Sequence, residues 1–547
     1  MIFMSILILI VAIALPLINR NLTSILYARI TSILFIYAGA LAFNAFYIQS
    51  IGSGIGVYSG LFQITQISQL FDTFICLIGS LIIVSWPLLI NINTSINLGN
   101  NRYEVNINNM ISNYPTKYSL IVLMSTLGAT LLISSSDLIS LYLSIELQSF
   151  GVYILSSLYR NSKTAISAGL KYFLIGGLAS CIILLGCGII YTFTGLTQLE
   201  SIYSIVSVSN NLSITLGLSL GLILLFIGFL LKIAAAPLHN WAPDVYDNSP
   251  TIVTIWLTIM PKISILILLL EIHSQIGIVE NTNILLLNNI TTIINTVSEN
   301  TSYLLTNLLL IISLFSLLLG TLVGLSQTKI KRLLAYSTIS HIGFILLALA
   351  INTEQSIESF LFYIIQYSIT NLNAFLIIIA FGLIIHNTIT GKLKNIQIEK
   401  VTGSEYDINY ISELKGQFFT NPLLSLSLAI CLFSMAGIPP LIGFFSKQFV
   451  LYSALQNGYY FMSIVAIIVS VISASYYLKI IKVLHSEEES SSITIKSINS
   501  EEEENTLINS YHSFLISSLT LFILLFILKP TIILNSTTLL TLSLFNY

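Results

Sequence analysis

Leu231-Lys232-Ile233-Ala234-Ala235-Ala236-Pro237-Leu238-His239-Asn240-Trp241 lies inside an apolar stretch, residues 213–247, that is too long for one bilayer crossing. A bilayer core takes about 20 apolar residues per helix. Pro237 removes an amide donor and breaks the hydrogen-bond ladder, so the stretch reads as two half-helices meeting at membrane depth, with a lysine just before the break. The stretch 418–457 repeats this design. It contains Gly437-Ile438-Pro439-Pro440-Leu441-Ile442-Gly443-Phe444-Phe445-Ser446-Lys447, broken at Pro439 and Pro440, with Lys447 following the break.

Working outward, apolar runs of spanning length fall near 2–19, 25–46, 68–91, 117–135, 138–158, 163–192, 213–247, 251–272, 301–326, 333–351, 358–388, 418–457, 460–484 and 511–530. About 14 helices with short connections predict an all-α polytopic membrane protein and exclude a barrel of alternating short strands. Composition agrees, with 55% hydrophobic and 8% charged residues and a mean hydropathy of +0.91. The chain opens on Met1-Ile2-Phe3-Met4-Ser5-Ile6-Leu7, with no basic leader region, and reads as a first span.

Other chemistries find no support in the residues. Net charge is −2 and the Lys and Arg are scattered, so no basic field invites nucleic acid. Cys76, Cys181, Cys187 and Cys431 lie in apolar runs without a CxxC pair, which makes them packing residues rather than metal, cluster or disulfide sites. Gly52-Ser53-Gly54-Ile55-Gly56 lacks the spacing and setting of a nucleotide fingerprint, and no Walker loop, HExxH or GxSxG is present.

With the N-terminus placed outside, Arg20, Arg29, Arg102, Lys117, Arg160, Lys163, Lys329, Lys331, Arg332, Lys392, Lys394, Lys400, Lys415, Lys479, Lys482 and Lys496 all fall at or near the inner side, and Lys529 alone falls outside. That asymmetry follows the rule that basic residues stay on the side of insertion. The acidic runs Glu487–Glu489 and Glu501–Glu504 then form a solvated inner loop. The two breaks are five spans apart, and an odd displacement inverts topology, so spans four to eight and nine to thirteen are expected to be two inverted five-helix repeats. The expected divisions are 1–116, a three-helix segment; 117–272 and 301–485, the two repeats; and 486–547, the acidic loop with a C-terminal helix.

Four charges remain well inside spans: Glu146, Lys232, Lys262 and Lys447. Each costs about 2.5–3.5 kcal/mol at the centre of a bilayer helix, so they imply work that apolar residues could not do. An amine removed from water releases its proton more readily, and a carboxylate brought alongside restores the charged form, so such pairs can pass protons. Glu146 is the only acid placed well within a span and is the expected partner of Lys232; a static ion pair is the bland alternative. Lys232 should feel the negative end of its half-helix, whereas Lys447, about 10 Å beyond the second break, should feel that dipole much less. Lys262 follows Pro261 with no local acid, and is expected to be the most labile site unless it snorkels. Lys171 is two turns from the inner end, where snorkelling competes with a relay role. His341, two turns into the tenth span, could carry a proton or be a satisfied core histidine.

The two break motifs, with Leu334-Ala335-Tyr336-Ser337-Thr338-Ile339-Ser340-His341-Ile342-Gly343 between them, resemble the antiporter-like subunits of respiratory complex I over spans four to thirteen. The resemblance implies a mitochondrial inner-membrane protein in which Glu146 and Lys232 form an input pair, Lys262 a central relay and Lys447 an outer exchange site. It implies neighbouring membrane-arm subunits and lipids as partners, no cofactor in this chain, and FMN, iron–sulfur clusters and ubiquinone in partner subunits. One departure is Ser167, four residues before Lys171, where related subunits often carry glutamate. An Mrp-type sodium/proton antiporter and a structural membrane scaffold are the competing readings.

Overall fold

The computed structural model describes residues 1–15, 24–46, 54–85, 113–159, 162–208, 212–287, 299–392, 407–486 and 510–545. Arg20, Arg102, Arg160, Lys394, Lys400, Lys496 and both acidic runs lie outside the described residues. The N-terminal segment holds α1 (Ile2–Ala14), α2 (Ser24–Phe46) and α3 (Gln66–Ser85). Next come α4 (Asn113–Ile133), α5 (Leu138–Ser156), α6 (Lys163–Thr194), α7 (Leu199–Val208), α8 (Leu212–Ile233), α9 (Trp241–Asn248) and α10 (Thr251–Leu287). They are followed by α11 (Glu299–Leu325), α12 (Ile330–Ile351), α13 (Glu354–Lys392), α14 (Gln417–Thr420), α15 (Pro422–Ala436), α16 (Ile442–Gln456), α17 (Tyr460–His485), α18 (Ser510–Leu525) and α19 (Thr531–Phe545). Eleven of the described helices are long and apolar enough to cross a membrane.

Both long stretches break as the prolines require, into α8 and α9 and into α15 and α16. Local chemistry sets other boundaries. Asp137 accepts from the Ile139 amide at 3.0 Å to start α5, and Ser162 accepts from the Ala165 amide at 3.3 Å to start α6. Gly437 ends α15 at φ 89°, a left-handed conformation natural to glycine.

Four features differ from the sequence expectation. The glycine run around residues 52–56 leads into a hairpin, β1 (Ile55–Val57) paired with β2 (Phe62–Ile64), whose turn uses positive φ at Tyr58, Ser59 and Gly60. Helix α10 continues to Leu287 rather than ending at 272, which moves Glu271 away from a helix end. Two short helices, α7 and α19, are added where no spanning run was legible.

The apolar window of α10 is 100% buried, α12 94% and α13 83%, against 39% for α6 and 33% for α17. The first three therefore form the axis of the bundle, and they carry Lys262 and His341. The helix pairings of the first expected repeat also recur in the second: α4 with α5 and α11 with α12, α6 with α8 and α13 with α15, α6 with α9 and α13 with α16, α4 with α10 and α11 with α17. Glycines permit the tightest of these contacts. A Cβ on Gly128 would lie 2.5 Å from the Gln148 amide nitrogen, and one on Gly320 2.7 Å from that of Ser340. Gly151 and Gly343 meet Ser125 and Ser316 in the same way, and the two glycine pairs have identical spacing in the chain.

Candidate proton-relay site

The last turn of α8 carries Lys232, whose Nζ lies 3.3 Å from Glu146 Oε1 on α5. The side chains are 7% and 16% exposed, so the expected pair exists and is largely removed from solvent. Two residues beyond Glu146, Gln148 donates to Ser264 Oγ at 2.8 Å, and that hydroxyl lies 3.1 Å from Gln148 Oε1. This polar contact leads from α5 to α10.

Lys262, two residues before Ser264 on α10 and 3% exposed, does not snorkel. Its Nζ donates to Thr338 Oγ1 on α12 at 3.1 Å and stands 5.6 Å from the centre of the Tyr246 ring on α9. Thr338 and His341 are three residues apart, hence on one face of α12. His341 is 4% exposed; Nδ1 is 2.7 Å from the Tyr363 hydroxyl on α13 and Nε2 is 3.2 Å from the Tyr477 hydroxyl on α17. It is satisfied as a core histidine would be, and it also lies within electrostatic reach of both Lys262 and Lys447.

Lys447 departs from expectation. Its Nζ donates to the carbonyls of Met435 and Ala436, both at 2.9 Å, at the C-terminal end of α15. Distance along α16 from the break overstated its separation from that negative end. The chain reverses at Gly437, so the lysine stem runs back past the break; a Cβ at Gly437 would lie 3.0 Å from Lys447 Cδ. Beside it, Ser446 donates to Gln366 on α13 at 3.3 Å, and the Phe344 ring centre is 5.7 Å from Nζ. The break at Pro439 and Pro440 thus leaves helix-end carbonyls accessible to a lysine, as irregular backbone at membrane depth can where protein surrounds it, whereas at the Pro237 break the Leu231 carbonyl accepts from Trp241 Nε1 at 3.0 Å.

Lys171 stands apart from this row. It is 50% exposed and pairs at 2.9 Å with Asp244 on α9, a long-range acid in place of the local glutamate that Ser167 replaces. Asp244 also binds Arg332 at 2.9 Å, while Asp247, 3% exposed, binds Lys329 at 2.8 Å. Lys331, 2% exposed, binds Asp407 at 2.6 Å.

Sequence reasoning passed over Thr338, Gln148, Ser264, Tyr363, Tyr477 and Gln366. A signal existed for the first: Thr338 follows Gly320 at the interval by which Glu146 follows Gly128, so hydroxyl and carboxyl hold matching places in the two expected repeats. Glu146 is also not the only acid within the bundle. Glu271 accepts from Thr65 Oγ1 at 3.4 Å, and Asp72 Oδ1 is buried without a hydrogen-bond partner among the described residues. The spans expected over 68–91 and 251–272 put Asp72 and Glu271 near their ends.

The model of a family described as NADH:quinone oxidoreductase/Mrp antiporter, TM, matches residues 135–302 and 277–473. The chain is 47% identical over 562 residues to NADH-ubiquinone oxidoreductase chain 2 of Rhizopus oryzae, covering 100% of both. It is 36% identical over 372 residues to the chain 2 protein of Marchantia polymorpha, covering 67% of this chain and 66% of that one. Its fold is similar to a chain in respiratory complex I from Thermus thermophilus with bound aureothin, with a TM-score of 0.67 at 23% identity over 98% of this chain and 99% of that one.

Proposed function

The chain belongs to the chain 2 family of the NADH:ubiquinone oxidoreductases, and from that premise we propose that it moves protons through the membrane arm of that complex by way of Glu146, Lys232, Lys262 and Lys447. It is a multi-pass subunit of the mitochondrial inner membrane whose partners are the other membrane-arm subunits. Moving one charge against 100 mV requires about 2.3 kcal/mol, which redox chemistry in those partners supplies, with FMN, iron–sulfur clusters and ubiquinone held there.

The observation that carries the reading is Lys262. A 3% exposed amine on the central helix, held by Thr338 across the junction of the repeats, is a poor device for stability alone, since a well-packed apolar side chain serves as well. Repeats 117–272 and 301–485 act as two half-paths that meet there. Glu146 draws charge onto Lys232 on one side; His341 and Lys447 receive it on the other, and Lys447 exchanges with the outer phase. The N-terminus lies on the intermembrane-space side.

Lys262→Ala in the assembled complex tests this. Normal assembly and quinone reduction with fewer protons moved per electron are expected. Unchanged proton yield would leave the buried charges as a scaffold, and sodium-dependent proton movement would favour an antiporter of the Mrp type.

A further inference from the structure

Lys262 is contacted by two helices besides its own, Thr338 of α12 and Tyr246 of α9. Thr338 commits its hydroxyl hydrogen to the Ala335 carbonyl at 2.7 Å, which leaves a lone pair facing the amine. The spacing of α9 and α12 therefore decides what Lys262 touches. Neither contact is set within α10.

Two clamps, one buried and one built on the buried carboxylate of Asp247 with partly exposed basic partners, fix these helices at their basic end. In one, Lys331 joins α12 to the start of α10: its Nζ binds Asp407 at 2.6 Å and the Ser249 carbonyl at 2.9 Å, while Asp407 also accepts from the Thr251 amide at 3.2 Å and hydroxyl at 2.7 Å. In the other, Asp247 joins α9 to α12. Its Oδ2 lies 2.8 Å from Lys329 Nζ and, without hydrogen-bond alignment, 3.1 Å from Arg332 Nε, while the same guanidinium reaches Asp244 at 2.9 Å. Tyr246 immediately precedes Asp247 on a two-turn helix, and Thr338 stands six residues beyond Arg332, about 9 Å along α12. A change in the reach of the second clamp displaces the tyrosine against the threonine.

We propose that the Asp247–Arg332–Lys329 clamp sets the position of Tyr246 and Thr338 around Lys262, making Asp247 and Arg332 positioning residues for proton transfer. This rests on the relay reading of Lys262. The half-exposed Lys171–Asp244 pair lies at the edge of the lattice and is not required.

The test measures protons moved per electron in inner-membrane vesicles holding the whole complex, with electron transfer and the amount of assembled complex as controls. Arg332→Gln is expected to retain electron transfer and lose proton yield, and Arg332→Lys to recover it. Asp247→Glu keeps the charge and lengthens the arm by one methylene; it is expected to assemble normally and still lose yield, and it decides the matter if Arg332→Gln fails to assemble. Normal yield in assembled Arg332→Gln or Asp247→Glu, measured beside a Lys262→Ala complex that has lost yield, overturns the clamp and leaves the relay standing. Normal yield in Lys262→Ala overturns the relay itself.

Discussion

The two helix breaks solve one problem in different ways. At the first, Lys232 belongs to the helix that ends there and meets the carboxylate of Glu146 at 3.3 Å. At the second, Lys447 belongs to the helix that begins there, and its hydrogen bonds among the described residues go to backbone carbonyls, those of Met435 and Ala436 at 2.9 Å. The first amine is governed by a movable countercharge and the second by a fixed dipole. A site with a movable partner can be switched by its neighbour, whereas one with a fixed partner can only be filled or emptied. That difference suits an input at Glu146–Lys232 and an exchange site at Lys447.

The strongest way to break the comparison is to remove one partner at each end. Glu146→Leu leaves a 7% exposed lysine unpaired, and loss of one member of a buried ion pair costs about 3–5 kcal/mol. Adding Lys232→Met should recover most of that stability. Lys447→Met strands only carbonyls, at about 1–3 kcal/mol. Retention of the subunit in the complex on heating in detergent reads all three. Equal losses for Glu146→Leu and for the double variant would show that the pair is not coupled.

The breaks differ in backbone as well. Ala234 holds φ 65° at the first, and Gly437 holds φ 89° at the second. A side chain in this left-handed region costs roughly 1–2 kcal/mol, and in Gly437→Ala the new methyl also crowds the Lys447 stem. Gly437→Ala should therefore lower stability by at least about 1 kcal/mol and weaken the Lys447 contacts. Ala234→Gly should stay within about 1 kcal/mol of neutral, because relief of the left-handed alanine is offset by a lost buried methyl and a freer unfolded chain. The same thermal assay separates the two; an equal response would mean that the breaks are interchangeable.

What was legible in the chain follows from the same physics. Spans and breaks could be read because bilayer thickness fixes helix length and proline removes a donor, and both operate locally. Elements too short to span a membrane gave no such signal: α7 has ten residues, and the fifteen of α19 are laced with Ser and Thr. Placement across helices was less visible. Counting residues along α16 put Lys447 far from the dipole that it contacts, since the count cannot register the reversal at Gly437. Glu271 looked terminal because its helix was expected to stop one residue later. Glu146 and Lys232 could be matched from sequence because each was the one charge of its kind in a long apolar run.

Lys171 sharpens the comparison from outside the row. It is an amine near membrane depth with an acid at 2.9 Å, a shorter contact than that of Lys232 and Glu146, so distance alone would rank it the better relay. Exposure reverses that ranking. At 50% and 38% exposed, Lys171 and Asp244 are not enclosed by this chain, and exposed pairs contribute about 0–1 kcal/mol. Arg332 also stays with Asp244 when Lys171 is removed, so no buried carboxylate is left alone. Lys171→Met is therefore expected to leave assembly unchanged and protons per electron at the level of the unaltered complex, whereas Lys232→Met lowers the yield. A matching loss of yield in the two variants would show that burial, on which the distinction between relay and surface lysines depends, does not select the proton path.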